Sequence, residues 1–204
     1  FTSSLSGLAA STTYYVRAYA IKSGTVYYGN EVNFTTLSIN DPTPGVGVVY
    51  DFDGNAYHTL TYGGKVWMLE NLKTTHFRDG TPIQNITGNN EWKSATVSAY
   101  CNYNNDEALG NEYGRLYNLL AVHDSRGLAP AGWRLPTMTE WTDMLNYLGG
   151  GGIAGGRIKE AGLMHWNTPN TGDHNGGFNA LGGGNRDYYL GTFNELKVSG
   201  QFWS

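Results

Sequence analysis

The chain has 204 residues, among them 29 glycines, 15 tyrosines and 6 tryptophans, against only 17 acidic and 13 basic side chains. Such a composition describes a loop-rich fold held by large rings, with many backbone positions in conformations that glycine adopts cheaply, and it excludes a long helical bundle. A net charge of -4 without a basic stripe excludes nucleic acid as a partner, no apolar run reaches the roughly 18 residues of a membrane-spanning helix, and the single cysteine, Cys101, rules out an internal disulfide framework.

Residues 12–21, TTYYVRAYAI, alternate so that Tyr14, Val16, Ala18 and Ala20 share one face, which predicts a half-buried strand. Ser23-Gly24 supplies a turn, and TVYYG (25–29) and EVNFTTL (31–37) provide the next strands. The spacing of Leu8, Thr12 and Tyr14 resembles the tyrosine corner of fibronectin type III domains. Residues 1–38 are therefore expected to form a partial all-β sandwich with the last three strands of that fold. Three strands cannot close a two-sheet core, so the segment needs residues upstream or support from the next domain. Residues 39–46, stiffened by Pro42 and Pro44, are expected to be a linker, and a second domain is expected over 47–204.

From Val48 three short strands are predicted, joined by turns at Asp53-Gly54 and Gly63-Gly64. The string DFDGN at 51–55 admits a calcium loop, but it lacks the later acidic ligand of an EF-hand, so a plain hairpin turn is the expectation. Tyr113, Leu116, Tyr117, Leu120 and Ala121 fall at i, i+3, i+4, i+7 and i+8, which predicts an amphipathic helix from Glu112. A second helix is marked by a capping box, Thr137 with Glu140, by the stripe Trp141, Met144, Leu145 and Leu148, and by the stop at Gly149, Gly150, Gly151 and Gly152. A short helix is expected near Ile158 to Ala161. Beyond it Trp166, Phe178, Tyr188, Tyr189, Phe193 and Trp203 stand in Gly/Asn-rich sequence, as core pegs or as an exposed binding face. The fold class is thus α+β, with two main amphipathic helices and short twisted strands.

Catalytic signals are sparse. His58, His76, His123, His165 and His174 show neither H-x-x-x-H nor H-E-x-x-H spacing, and a G-x-S-x-G elbow and a Walker loop are lacking. His123-Asp124 reads as a polar helix end. The cluster NYNNDEALGNE (102–112) can offer oxygens to calcium at Asn104 to Glu107, or form a solvated loop of Asx-turns. Trp67, Trp133 and Trp141 are expected to be mostly buried scaffold, with Arg134 paired internally. No metal, cofactor or enzymatic activity is expected.

The stretch YGRLYNLLAVHDSRGLAPAGWRLP (113–136) followed by TMTEWTDMLNYLGG, with DFDGNAYHTLTYGGKVWMLENLKTTHFRDGTPI (51–83) upstream and GGFNALGGGNRD (176–187) and a terminal FWS downstream, resembles the Fibrobacter succinogenes major paralogous domain. The resemblance covers roughly residues 46–204. It implies a C-type-lectin-like fold, shared with formylglycine-generating enzymes and with the variable proteins of diversity-generating retroelements, and a role in binding at the bacterial surface or outside the cell. The oxidation carried out by formylglycine-generating enzymes relies on active-site cysteines that hold copper, and Cys101 alone does not supply them. The resemblance also implies further C-terminal strands after Ser204, one with a Val-Arg-Cys pattern whose cysteine would partner Cys101.

By the same resemblance, the segment NRDYYLGTFNELKVSGQ (185–201) corresponds to the loops that retroelement proteins diversify at adenines. Asn185, Asp187, Tyr188, Tyr189, Leu190, Thr192, Asn194, Val198 and Ser199 are all reachable from altered Asn codons, whereas Glu195, Lys197 and Gln201 are not. Asp187, Tyr188, Tyr189, Thr192 and Asn194 are the expected ligand-binding residues, because a Tyr pair amid Asp, Thr and Asn combines rigid contact area with adaptable hydrogen bonds. An ordinary surface hairpin with strand tyrosines is the other reading. The expected partner is an extracellular protein or glycan, alongside other domains of a longer chain. An architectural module of a surface adhesin or lipoprotein, without its own ligand, is the alternative function.

Overall fold

The computed structural model describes residues 12–35 and 47–204; the linker reading of 39–46 and Leu8 of the tyrosine-corner spacing lie outside the described residues. The chain divides into two units, Phe1–Pro42 and Thr43–Ser204.

In the first unit β1 (Thr13–Lys22) pairs antiparallel with β2 (Thr25–Thr35). Lys22 faces Thr25 across a two-residue turn in which Ser23 (φ 51°) and Gly24 (φ 80°) are both left-handed, the geometry whose twist matches flanking strands. Two strands are described where three were expected, because 25–29 and 31–35 form one strand interrupted by a bulge. Arg17 pairs with Glu31 but Tyr19 with Tyr28, so Gly29 and Asn30 together oppose Ala18. Tyr14 and Val16 are half-buried, and Ala18 and Ala20 are exposed, so the alternation is expressed only at one end of the strand.

The second unit opens with the meander expected from its turns: β3 (Val48–Tyr50), β4 (Ala56–Tyr62) and β5 (Lys65–Met68), in the sheet order β3-β4-β5. The DFDGN string is the β3–β4 turn. The Asp51 carboxylate accepts hydrogen bonds from the Asn55 amide (2.9 Å), the Asn55 side chain (2.8 Å) and the Tyr57 hydroxyl (2.6 Å). Tyr57 is wholly buried, and its oxygen accepts from the Lys73 amide (2.8 Å), so the turn is tied to the chain after β5. Asp53 is used in the same way by the Thr75 amide and hydroxyl and by His76. Burial opposes ionisation there, but these hydrogen bonds hold the Asp53 carboxyl below its usual value.

A second sheet has the order β6 (Gln84–Asn85), β7 (Ala99–Cys101), β8 (Leu116–Tyr117), with β7 parallel to β6 and antiparallel to β8. Helix α1 (Asn89–Lys93) lies between β6 and β7 in the chain. The helix predicted from Glu112 through Ala121 does not form. Instead α2 (Glu107–Tyr113), N-capped by Asp106, ends at Gly114, the chain extends into β8, and α3 (Leu119–Val122) starts afresh. Gly114 takes φ 85° and ψ 177° and sits so close to Asn71 that a Cβ would overlap it, while the next amide, that of Arg115, donates to Leu72 O (2.9 Å). Asn118 caps α3 through Ala121 N (2.9 Å) and also accepts from Ala99 N (3.0 Å), which fixes the break against β7. Tyr113, Tyr117 and Ala121 are buried as their spacing suggested, but on three different elements.

The one long helix is α4 (Met138–Tyr147), and its capping box is complete: Glu140 N donates to Thr137 Oγ1 (3.3 Å) and Thr137 N to Glu140 Oε2 (2.9 Å). Left-handed Gly149 (φ 106°) and Gly150 (φ 83°) end it. Met144 and Leu148 join Tyr62, Trp67, Ala154, Phe178 and Ala180 in one core cluster. The short helix α5 (Ala154–Ile158) lies upstream of its expected place, since Lys159 is already extended and bridged to Ala180. A second cluster centres on Phe77, Ile83, Tyr117 and Leu128, and a third on Ile86, Trp92, Ala99 and Cys101. The last hairpin is β9 (Gly183–Arg186) with β10 (Phe193–Leu196). The unit is α+β, with one main helix in place of two.

Of the three tryptophans expected in the core, Trp67 is buried at 8% exposure; Trp133 and Trp141 are half-buried. Trp67→Ala is expected to lower stability by about 3–5 kcal/mol. Trp133→Ala should cost clearly less; equal losses in urea denaturation would contradict the burial order.

Glu140 also joins β5 to α4, accepting from Lys65 Nζ (2.9 Å) and bidentately from Arg134 (2.7 and 2.8 Å). The Arg134 bonds foremost, then the Thr137 amide and Lys65, hold its carboxyl far below the usual 4.5. A depressed folded pKa contributes stability above the unfolded pKa and loses it as pH falls toward the folded one. Glu140→Gln is therefore expected to destabilise most at neutral pH, with the difference from the parent shrinking below about pH 4 in denaturation curves taken across the acid range.

Candidate functional site

The β9–β10 hairpin is built from the core outward. Arg186, the last residue of β9, is 8% exposed, and its guanidinium lies over the rings of Trp92 and Phe193, 4.6 Å from each centroid. Its nitrogens donate to three backbone carbonyls: Nη1 to Ile86 (2.6 Å), Nη2 to Thr87 (2.8 Å) and Nε to Gly191 (2.9 Å). Among the described residues no carboxylate pairs with it; stacked rings and carbonyl oxygens carry the buried charge. One side chain thereby ties the base of the hairpin to the segment after β6.

Across the tip the chain closes on itself. Asp187 N donates to Thr192 O (2.8 Å), Gly191 N to Asp187 O (3.0 Å), and Leu190 N to the Asp187 carboxylate (2.6 Å). Gly191 is left-handed (φ 71°) and pressed against Asn89 so closely that a Cβ would meet its backbone. These bonds leave Tyr188, Tyr189 and Leu190 projecting, at 72%, 80% and 66% exposure. The two tyrosine rings meet edge to face, with centroids 5.0 Å apart and planes at 76°.

The five residues expected to bind ligand therefore lie on one hairpin in different roles. Tyr188 and Tyr189 form the exposed tip, and Asn194 is exposed on β10 with its amide directed to Thr192 O (3.4 Å). Thr192 is half-buried. Asp187 is half-buried and spends its carboxylate on the turn. Leu190 and Arg186, which the sequence reading did not place in the site, complete it: Leu190 extends the apolar tip, and Arg186 holds it. The signal for Leu190 was its place beside the Tyr pair; the burial of Arg186 has no local signature in the sequence.

Cys101 lies beneath the hairpin, fully buried, and burial pushes its thiol up to about 11, opposed by the nearby Arg186. A thiol with so little thiolate is a poor nucleophile in the folded protein. His165 sits between carboxylates, Glu160 at 2.8 Å and Glu112 at 3.0 Å, and packs edge-on against Tyr113. Asp124 is gripped by Arg126 and Ser98. In the 102–112 loop Asp106 caps α2 through Ala108 N (2.8 Å) and Asn105 donates to Thr87 O (3.1 Å), so both serve the turn. Among the described residues no three His, Cys, Asp or Glu side chains converge as a metal ion would require.

A separate cleft of about 550 Å³ opens between the edge strands β5 and β8. Trp67, Trp133, Trp141, Phe202 and Trp203 wall it, and Trp141 Nε1 donates to Trp203 O (3.2 Å). Three buried polar atoms on its lining residues, Trp67 Nε1, Tyr113 OH and Arg115 Nε, have no hydrogen-bond partner.

Arg186→Met would leave the Ile86 and Gly191 carbonyls without their donor and Thr87 O with Asn105 alone, and is expected to cost at least about 2 kcal/mol. It should also raise hydrogen exchange at the Leu190 and Gly191 amides. Unchanged exchange there would show that the tip does not depend on this anchor.

A search of curated proteins and a search of solved structures returned no match. The model of the Fibrobacter succinogenes major domain matches residues 60–204, which takes in β5, α4, both walls of the cleft and the whole β9–β10 hairpin. The chain belongs to the Fibrobacter succinogenes major domain family.

Proposed function

We propose that the chain is a non-enzymatic ligand-binding module of a bacterial surface or secreted protein, engaging an extracellular protein or carbohydrate through the tip of the β9–β10 hairpin. The observation that carries this reading is the contrast between tip and base: three consecutive large side chains are more than three-fifths exposed, on a turn fixed by a buried arginine. Exposed apolar side chains held rigid lose little freedom on binding, and tyrosine is enriched where a few residues carry most of the affinity. The family membership supports a C-type-lectin-like fold for residues 47–204, and a retroelement-diversified variable protein is the sharper form of the same reading. Residues 1–38 are read as part of a fibronectin type III-like sandwich.

A second reading, an architectural module without its own ligand, is favoured by the cleft between β5 and β8. Two sheet edges with aromatic walls and unpartnered polar atoms suit a further strand that would join the two three-stranded sheets, and on this reading the face serves to pack against other polypeptide. Paired substitution in the complete protein separates the readings. Tyr188→Ala with Tyr189→Ala is expected to leave the melting temperature unchanged and to abolish binding in protein and glycan arrays. Retained binding would place the site away from the tip, and a parent that binds nothing on either array would favour the architectural role.

A further inference from the structure

Resting on that reading of the tip, we infer that its ligand is a protein with an apolar cleft, and not a glycan. Sugar recognition needs a flat aromatic face for the ring and free hydrogen-bonding groups beside it for the hydroxyls. The tip lacks both arrangements. Tyr188 and Tyr189 stand at 76° to each other, so the pair makes a wedge and not a platform. Several polar groups around them are already spent within the hairpin: Asp187 Oδ1 on the Leu190 amide (2.6 Å), the Asn194 amide on Thr192 O (3.4 Å), and Glu195 on Ser199 (2.6 Å) and Asn185 (3.5 Å). What projects is two rings, their phenol hydroxyls and Leu190.

An aliphatic side chain beside the rings adds area that only an apolar surface can cover. A convex wedge of this kind inserts into a groove, where its rings are desolvated on several sides and each hydroxyl finds a backbone or side-chain partner at the groove wall. The base of the hairpin keeps the wedge in shape before contact, because Arg186 bonds to Gly191 O at the far end of the turn and the Gly191 backbone is packed on Asn89. Affinity then comes from area already ordered, the condition under which small aromatic tips act as anchors.

The test uses the 204-residue chain and two probes, a display library of small folded domains with a randomised groove and a glycan array, against the parent and a Tyr188→Ser, Tyr189→Ser double variant. Grooves lined by Leu, Phe and Met are expected to be selected by the parent, with affinity at least about tenfold lower for the double variant. Glu195→Gln keeps an oxygen for the Ser199 hydroxyl and removes the charge, so it is expected to leave those affinities within about threefold. A loss in Glu195→Gln comparable to that of the double variant would make a carboxylate beside the tip a contact group and overturn the inference. Tyrosine-dependent binding to glycans and not to the displayed grooves would also overturn it, leaving the tip as the site. If neither probe binds in a tyrosine-dependent way, both the inference and the tip reading fall.

Discussion

Every buried N–H and C=O needs a partner, and a chain with few long ladders has to find most of those partners outside secondary structure. Here side chains supply them across large sequence distances. Asp51 receives the turn and strand that follow β3, Asp53 receives Thr75 and His76 beyond β5, Asn71 reaches Tyr113 O (2.8 Å), Asn118 serves both α3 and β7, and Arg186 answers three carbonyls of two segments. Removing one of these side chains exposes several backbone groups at once, which is why point substitutions at polar positions should rival those in the aromatic core. Stability in this unit is held at junctions between loops, with the three ring clusters filling the spaces between them.

That arrangement decides what the surface can do. Loops held at their bases by buried bonds present their tips without the disorder that a long free loop would have to surrender on binding. The segment after β9 goes further, since Glu195 (φ 65°) and Lys197 (φ 61°) are left-handed without being glycine. Such backbone is unfavourable by about 1 kcal/mol or more for each residue. It is retained here by Lys197 N to Gly182 O (2.7 Å) and Val198 N to Glu195 O (2.9 Å). The hairpin is thus fixed at both ends, by Arg186 on one side and by a constrained return on the other.

Local chemistry was legible in the sequence wherever one or two residues determine the geometry. The turns at Ser23-Gly24, Asp53-Gly54 and Gly63-Gly64 and the box of Thr137 with Glu140 needed no tertiary information. The sequence left Tyr188 and Tyr189 as core pegs or an exposed face, and the turn closed by Asp187 is what turns them outward. Periodicity misled at 112–121, because buried residues on a helix, a strand and another helix in succession reproduce helical spacing when all of them face one core; Gly114 was the sign of the break. Trp133 and Trp141 are mostly buried as expected, but that they also wall a cleft was not legible, because a ring that walls a cleft has the same local sequence as one that fills a core. Asp187 was placed in a contact role, yet an acidic residue three positions before an amide that needs an acceptor belongs to the turn.

The tip and the core are mechanically one object. Arg186 stacks on Trp92 of the third core cluster and on Phe193 of β10, while its Nε reaches Gly191 beside the exposed Leu190. A substitution at Tyr188 or Tyr189 touches only the outer end of this chain of contacts and can vary without disturbing the fold. One at Arg186, Gly191 or Trp92 disturbs the core and the turn together. Tolerance of sequence change is therefore divided sharply within six residues: the exposed positions can be exchanged at little cost to the fold, and those flanking them cannot, because their side chains and backbone are already committed to the core and the turn.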